Sequence, residues 1–327
     1  ETQVRNLPLP RYRNYQSLID LVPGATPGRY QNSPGSTPGR SLTTNVNGVN
    51  RNNNVTKLDG ATSVHIWLPH HTAYVAPAET VETVNISTNN FDAEQGMAGG
   101  AAITVITKSG TNELHGSAFL MHENHKFGAK NFFFRDPKTP KSLITIPGFT
   151  IGGPIVKNKL FFFGGWEGLR ERVNRSRLFT VPTADQRAGN FAAYPTTLFD
   201  PSTGAVNGSG RTPFPGNLIP AARISPVARK LVDLTPLPNQ LGNNANYFSS
   251  GTQSMDRDNY DIKINYNPTS KLALFGKYGA MDALVKGNFG LGAAGGPCVC
   301  DGGIGDATVL AQVTTVGWTY TISPTFL

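Results

Sequence analysis

The residues with the clearest chemical potential are six histidines and a group of carboxylates. His65, His70 and His71 lie near Trp67, and His115, His122 and His125 lie further along the chain. Such a set would suit a metal centre if three or four of them converged. His115 and His122, however, are an odd number of residues apart, and on a strand they face opposite sides. Solvated or lumen-facing histidines are therefore the simpler expectation, with no metal site. Asp59, Glu79, Glu82, Asp92 and Glu94 crowd one region, yet no nucleophile accompanies them and nothing fixes their separation, so no acid–base catalysis is expected. Gly290-Leu291-Gly292-Ala293-Ala294-Gly295 has a dinucleotide-loop spelling, but no strand precedes it and Gly-Pro follows where a helix should start. A glycine-rich loop is expected there, and no cofactor. Cys298 and Cys300 are separated by one residue, too close for a relaxed mutual disulfide and too few for a metal site. The runs Phe132-Phe133-Phe134 and Phe161-Phe162-Phe163 would serve as stacking platforms or as lipid contacts. Alternation in the second run separates Phe162 from Phe161 and Phe163, which favours lipid contact near an interface. The first run lies in a loop.

The composition restricts the elements available to hold these groups. Gly and Pro number 36 and 24 among 327 residues, well above the combined share of roughly 12% in ordinary proteins. Charged residues make up only 15%, against about 25% in a typical soluble domain. Turns, strands and uncharged polar positions fill the difference. The net charge of +8 is scattered through loops and not gathered on one stripe, which argues against nucleic acid. No run of 18 apolar residues exists for a membrane-spanning helix. The chain starts at Glu1 without a signal peptide, as a processed protein or a fragment would.

Two β patterns meet between Gly99 and Phe119. Before the meeting point, Leu7 to Leu21 reads as a short helix, Thr26 to Arg40 as a loop, and Asn45–Val49 and Val55–Gly60 as short strands. A turn and strand follow over Ala78–Ile86, and Ala102–Thr107 is a buried strand. After it, Tyr260, Ile262, Ile264 and Tyr266 alternate strictly with polar residues. Leu272, Leu274 and Tyr278 do the same, as do Val316, Trp318, Tyr320 and Ile322. Phe149, Ile151 and Ile155 belong to another such strand, joined through Lys157-Asn158-Lys159 to Leu160–Trp166. The connections alternate long (about 124–143), tight, long (about 174–256), tight and long (about 284–306), with a helix expected over Arg223–Leu234. Sorting of loops by side is the mark of a transmembrane β-barrel, and an excursion of about 80 residues fits an external loop. Only a closed barrel pairs every strand backbone in lipid, and about six strands cannot enclose a domain of about 110 residues. The expected architecture is mainly β: a small α+β plug domain over 1–112, then antiparallel transmembrane barrel strands over 113–327. The barrel is incomplete at roughly six strands, and the chain is read as truncated at both ends.

Several motifs carry a resemblance. Lys57-Leu58-Asp59-Gly60, Ala78-Glu79-Thr80-Val81-Glu82-Thr83-Val84, Asn89-Asn90-Phe91-Asp92-Ala93-Glu94-Gln95-Gly96 and Ile103-Thr104-Val105-Ile106-Thr107-Lys108-Ser109-Gly110-Thr111-Asn112 form one set. Gly152-Gly153-Pro154-Ile155-Val156-Lys157-Asn158-Lys159-Leu160-Phe161-Phe162-Phe163 and Arg211-Thr212-Pro213-Phe214-Pro215-Gly216-Asn217 with Ile219-Pro220 form the other. Together they resemble the TonB-dependent outer-membrane receptors, and among them the Oar-like members. The resemblance implies a plug inside a barrel of the bacterial outer membrane. It also implies transport of a bulky substrate, carbohydrate or polymer among the candidates, driven by the TonB energy-coupling complex through a segment absent from this chain. Outer-membrane lipid and an unknown ligand are the other partners implied. Asp59 and Gly60 form the plug motif, and Thr107, Lys108, Ser109, Gly110, Thr111 and Asn112 the plug–barrel junction; the substrate-binding residues are unknown. Two readings compete with transport: a surface interaction or adhesion protein on such a barrel, and a soluble carbohydrate-binding β domain.

Overall fold

The computed structural model describes residues 9, 12–65, 67–68, 70–72, 74–96, 98–130, 132, 139–296 and 305–323. Cys298, Cys300, Phe133 and Phe134 lie outside the described residues. Among the described residues no helix is long and apolar enough to cross a membrane.

The N-terminal part builds a four-stranded sheet from β1 (Val55–Leu58), β2 (Ala61–Thr62), β3 (Val81–Ser87) and β4 (Ala102–Thr107), in the order β2-β1-β4-β3. β1 runs parallel to β4, and the other pairs are antiparallel. Asp59 and Gly60 form the two-residue turn between β1 and β2, where Leu58 faces Ala61. Both have positive φ, 49° and 85°, so the turn is of type I′, for which Asp-Gly is a preferred spelling. Leu58, Val81, Ile103 and Val105 pack with Tyr15, Ile19, Val46 and Tyr74 into one core, closed by Met281 from a later strand.

A second sheet follows. It comprises β5 (His115–Asn124), β6 (Ser142–Val156), β7 (Leu160–Phe179), β8 (Tyr247–Thr269), β9 (Leu272–Lys286) and β10 (Ala307–Tyr320). Its strands lie in chain order, each beside its successor, as an antiparallel meander of six strands that does not close. The fold is mainly β, with the six strands expected. The tight connections fall at one rim and the long ones at the other.

Several expected elements differ in detail. Asn45–Val49 is a turn held by isolated bridges at Val46, not a strand. The N-terminal helix is a 3-10 helix over Tyr15–Leu21, capped by the Asn14 side chain accepting from the Gln16 backbone at 2.8 Å. The connection expected over 174–256 is shorter, because β7 continues to Phe179 and β8 starts at Tyr247. No apolar alternation marks these strand ends in the sequence. The helix expected from Arg223 is preceded by a 3-10 turn and begins at Pro226, whose fixed φ suits a first helical position.

Asn174–Thr252 and Gly287–Gly305 make a compact unit of their own, distinct from the unit that holds both sheets. It contains α1 (Ala184–Arg187), with a full capping box at Thr183 and Gln186, and α2 (Pro226–Leu234). Arg187 ties them by donating to the carbonyls of Val232, Thr235 and Pro236.

Candidate functional site

The alternation of β8 sorts its side chains into two opposed sets. Tyr260, Ile262, Ile264 and Tyr266 are exposed, while Arg257, Asn259, Asp261 and Lys263 are buried. A soluble sheet buries its apolar face; here the polar face is covered, and what covers it is the N-terminal module. Each inward residue in turn bonds a different stretch of that module. Arg257 donates to the Pro38 carbonyl at 3.2 Å, and Asn259 to the Val75 carbonyl at 3.2 Å. Asp261 accepts from the Tyr74 hydroxyl at 2.7 Å and from Thr80 at 3.1 Å. Lys263 donates to Asp59 at 2.9 Å and to the Thr107 carbonyl at 3.0 Å.

Two buried charge clusters form within this zipper. In the first, Asp59 meets Lys263 at 2.9 Å and Lys277 at 3.5 Å, and Lys277 reaches Asp261 at 3.1 Å. Asp59 also accepts from the Thr107 backbone at 3.0 Å and from its hydroxyl at 2.6 Å, so β1 and β4 are joined by the same carboxylate that holds the wall. Burial acts to raise the Asp59 pKa, but the hydrogen bonds from Thr107 and Lys263 and the charge of Lys277 outweigh it, leaving the group below its ordinary value. In the second cluster Arg13 meets Glu79 at 2.7 Å and Glu167 at 3.5 Å, and Arg257 reaches Glu167 at 3.5 Å. Each cluster holds two cations and two anions, drawn from both the module and the wall, so both are neutral as whole groups. That balance is what burial of charge demands.

The structure brings together only part of the residues singled out in the sequence. Asp59, Gly60 and Thr107 sit at the first cluster. Lys108 donates from its backbone to the Thr80 carbonyl at 2.9 Å. Gly110 lies against the β6–β7 hairpin so closely that an added Cβ would stand 2.2 Å from the Phe162 carbonyl oxygen. Asn112 and Asn158 clamp each other: Asn112 donates to the Asn158 side chain at 2.7 Å and accepts from its backbone at 2.7 Å. Thr111 donates to the Glu113 carbonyl at 3.0 Å, and Ser109 is half-buried. Of the five carboxylates, Asp59 and Glu79 are buried in separate clusters, while Glu82, Asp92 and Glu94 are exposed.

The histidines stay apart in two groups. The His70 and His71 rings lie 4.3 Å apart, tilted by 50°, with Asn52 on the first and Asn32 on the second. Burial, with the neighbouring His70, Arg51 and His65, pushes His71 down to about 4 and keeps it neutral. His122 pairs with Thr145 at 2.9 Å on the outward face of β5 and β6, while the His115 ring lies against Gly152. Among the described residues no three His, Cys, Asp or Glu are arranged to hold a metal. Phe163 is buried on the inward face and Phe162 lies on the outward one, so only part of that run is available to lipid. Sequence reading missed Lys263, Lys277, Asp261, Arg257 and Glu167 as site residues. Their signal was the polar half of the alternation, which marks a covered lumen only once the apolar half is known to face out.

Comparison with known proteins bears on this geometry. Residues 106–327 match the family model described as an outer membrane beta barrel domain. The TonB-dependent transporter Oar of Myxococcus xanthus is 29% identical over 184 residues, which cover 53% of this chain and 16% of Oar. The ferric enterobactin receptor PfeA, in complex with BCV-L6, aligns over 94% of this chain and 36% of its own, at 14% identity and a TM-score of 0.49. The siderophore receptor PirA from Acinetobacter baumannii aligns over 97% of this chain and 43% of its own, at 14% identity and a TM-score of 0.41. The chain thus spans about a sixth of the curated relative it matches.

Proposed function

The chain belongs to the outer membrane β-barrel domain family and is homologous to a TonB-dependent transporter, and from that premise we propose that it moves a bulky substrate across the bacterial outer membrane. In this reading residues 1–112 are a plug, residues 113–327 are wall strands, and the link over Thr107 to Asn112 tethers one to the other. The long connections face the outside and the tight turns the periplasm. Movement of the plug draws on the inner-membrane TonB complex.

The observation that carries the reading is the polar zipper along β8. A domain meant to stay in place forever would be seated most firmly by apolar packing. A plug that must shift inside a water-filled lumen needs a contact whose separated halves tolerate water, and ion pairs with hydrogen bonds meet that need. A compact 79-residue excursion, Asn174–Thr252, is in keeping with the alternative of a surface adhesion protein on the same barrel.

One labelling experiment separates the two. Ala78 is 1% exposed beside the zipper, and Ala78→Cys is a conservative change. With Cys298 and Cys300 changed to Ser so that neither reacts in its place, a membrane-impermeant maleimide applied to cells bearing the full-length variant should label it when the energy-coupling complex is intact, and much less when the coupling protein is deleted. Equal labelling in both strains would leave adhesion without transport as the function.

A further inference from the structure

The outward face of the six-stranded sheet carries a groove of about 530 Å³ between β6 and β8. Phe149 and Ile151 form one bank, Tyr260 and Ile262 the other, and Gly164 of β7 is the floor. Trp166 closes one end, its ring 5.9 Å from that of Phe149. The floor is not glycine for want of room: a Cβ on Gly164 would meet nothing nearer than the Asp261 carbonyl oxygen at 3.8 Å. The missing side chain leaves a channel in a surface that is otherwise apolar and protruding.

Directly beyond Trp166 the outward face turns charged. Trp166 donates to Asp258 at 3.0 Å, Arg170 grips both Asp258 oxygens at 2.9 Å, and Arg172 grips Asp256 at 2.7 Å and 2.8 Å. Both guanidinium side chains remain more than a third exposed. Asp282 of β9 pairs in register with Asp258, so charged residues of three neighbouring strands meet at one level, with Leu284 following on β9 opposite Asp256. An indole at the boundary and charges beyond it mark the headgroup level of a bilayer.

We propose that this groove holds one acyl chain of a phosphate-bearing lipid, with the headgroup resting on Arg170 and Arg172. The occupant follows from position, because the groove is continuous with the lipid-facing surface and ends just short of the charged belt, with only the Trp166 ring between them. Arg170 also donates to the Leu169 and Arg257 carbonyls at 3.0 Å and Arg172 to the Glu171 carbonyl at 2.7 Å, so a phosphate would meet chiefly the positive charge of two guanidinium groups fixed in place, with the few N–H groups these bonds leave over. The assignment of this lipid to the outer leaflet rests on the reading above, in which the long connections face the outside; the groove itself does not.

The test uses the full-length protein in mild detergent, with dipalmitoyl phosphatidylglycerol added as the probe and native mass spectrometry reading the lipid retained. Gly164→Leu fills the channel. Gly276→Leu is the matched control, since Gly276 also faces outward and its Cβ would meet nothing within 4 Å. Wild type and Gly276→Leu should retain one tightly held lipid, and Gly164→Leu about tenfold less, with all three showing the heat-dependent gel shift of a folded barrel. The double variant Arg170→Gln with Arg172→Gln should keep the lipid but lose its preference over uncharged dipalmitoylglycerol. Equal retention by Gly164→Leu and wild type, or equal loss in Gly276→Leu, overturns the groove, and an unchanged headgroup preference in the double variant overturns the role of the arginines.

Discussion

The two sheets of this chain obey opposite rules. In the small one the apolar side chains turn inward: Val105 is fully buried and Ile103 nearly so, while the one large apolar residue left out on β4 is Ile106. In the large one Ile262 is 53% exposed and Tyr260 46%, whereas Asp261 and Lys263, which alternate with them, are 2% and 6% exposed. Strand geometry is the same in both, with a period of two. The difference lies in what surrounds each face: water and a polar partner inside, hydrocarbon outside. Polarity of the covered face, and not the amount of burial, separates a lumen from a core.

The sharpest way to break this contrast is to remove the carboxylate that joins the two sheets. Asp59→Ala leaves Lys263 and Lys277 buried without their counter-charge and strips Thr107 of two acceptors. Removing one partner of a buried pair costs about 3–5 kcal/mol. The urea concentration at which protease cleaves the N-terminal module from a folded barrel should fall accordingly, with the barrel itself unaffected. Acid should imitate the variant. The Asp59 pKa is lower in the folded state than in the unfolded chain, so its contribution is complete above the ordinary carboxylate value and is lost as pH falls through the folded one. The Asp59 contribution to the urea midpoint should hold steady at neutral pH and decline below about pH 4, and Asp59→Asn should flatten that part of the decline. His71 adds a drop of the same sign between its ordinary value and about 4.

Next in size is a charge on the outward face. Ile262→Lys, in the middle of the exposed apolar stretch of β8, should cost about 2–4 kcal/mol if that face meets the bilayer midplane, measured as the folded fraction in lipid vesicles. On a face that met water the same change would be nearly silent. A soluble, fully folded Ile262→Lys protein would therefore remove the distinction between the two sheets.

How much of this was legible beforehand depends on which face a residue occupies. The apolar alternation of β8, β9 and β10 announced amphipathic strands, and the tight turns expected at 157–159 and 267–270 announced their pairing, because both signals are local. The upper parts of β7 and β8 carried no such signal: residues such as Asn174, Ser176 and Ser250 leave one medium without entering another, and nothing enforces alternation. Asp59-Gly60 fell inside the strand read over Val55–Gly60, although its spelling is that of a two-residue turn. That its carboxylate would meet Lys263, about 200 positions away, was not legible, since ion pairs across such separations are set by the register of two sheets and leave no periodic trace.

Smaller effects test the link between the sheets. Gly110→Ala places a Cβ against backbone atoms of Phe162 and Gly153 that cannot swing aside, and overpacking of this kind costs about 1–3 kcal/mol. Asn112→Ala is gentler. It deletes two hydrogen bonds to Asn158, but the site is exposed and water replaces both, so about 1 kcal/mol is expected. Asn158 holds a φ of 64° at the tight turn with or without its partner, which leaves the β6–β7 hairpin intact. The loss should therefore appear only locally, as faster protease cleavage within residues 108–112, with the urea midpoint for the Asp59 cluster unchanged. If Asn112→Ala instead lowers that midpoint as far as Asp59→Ala does, the tether and the zipper form one cooperative element, and the module is held at its edge as firmly as along β8.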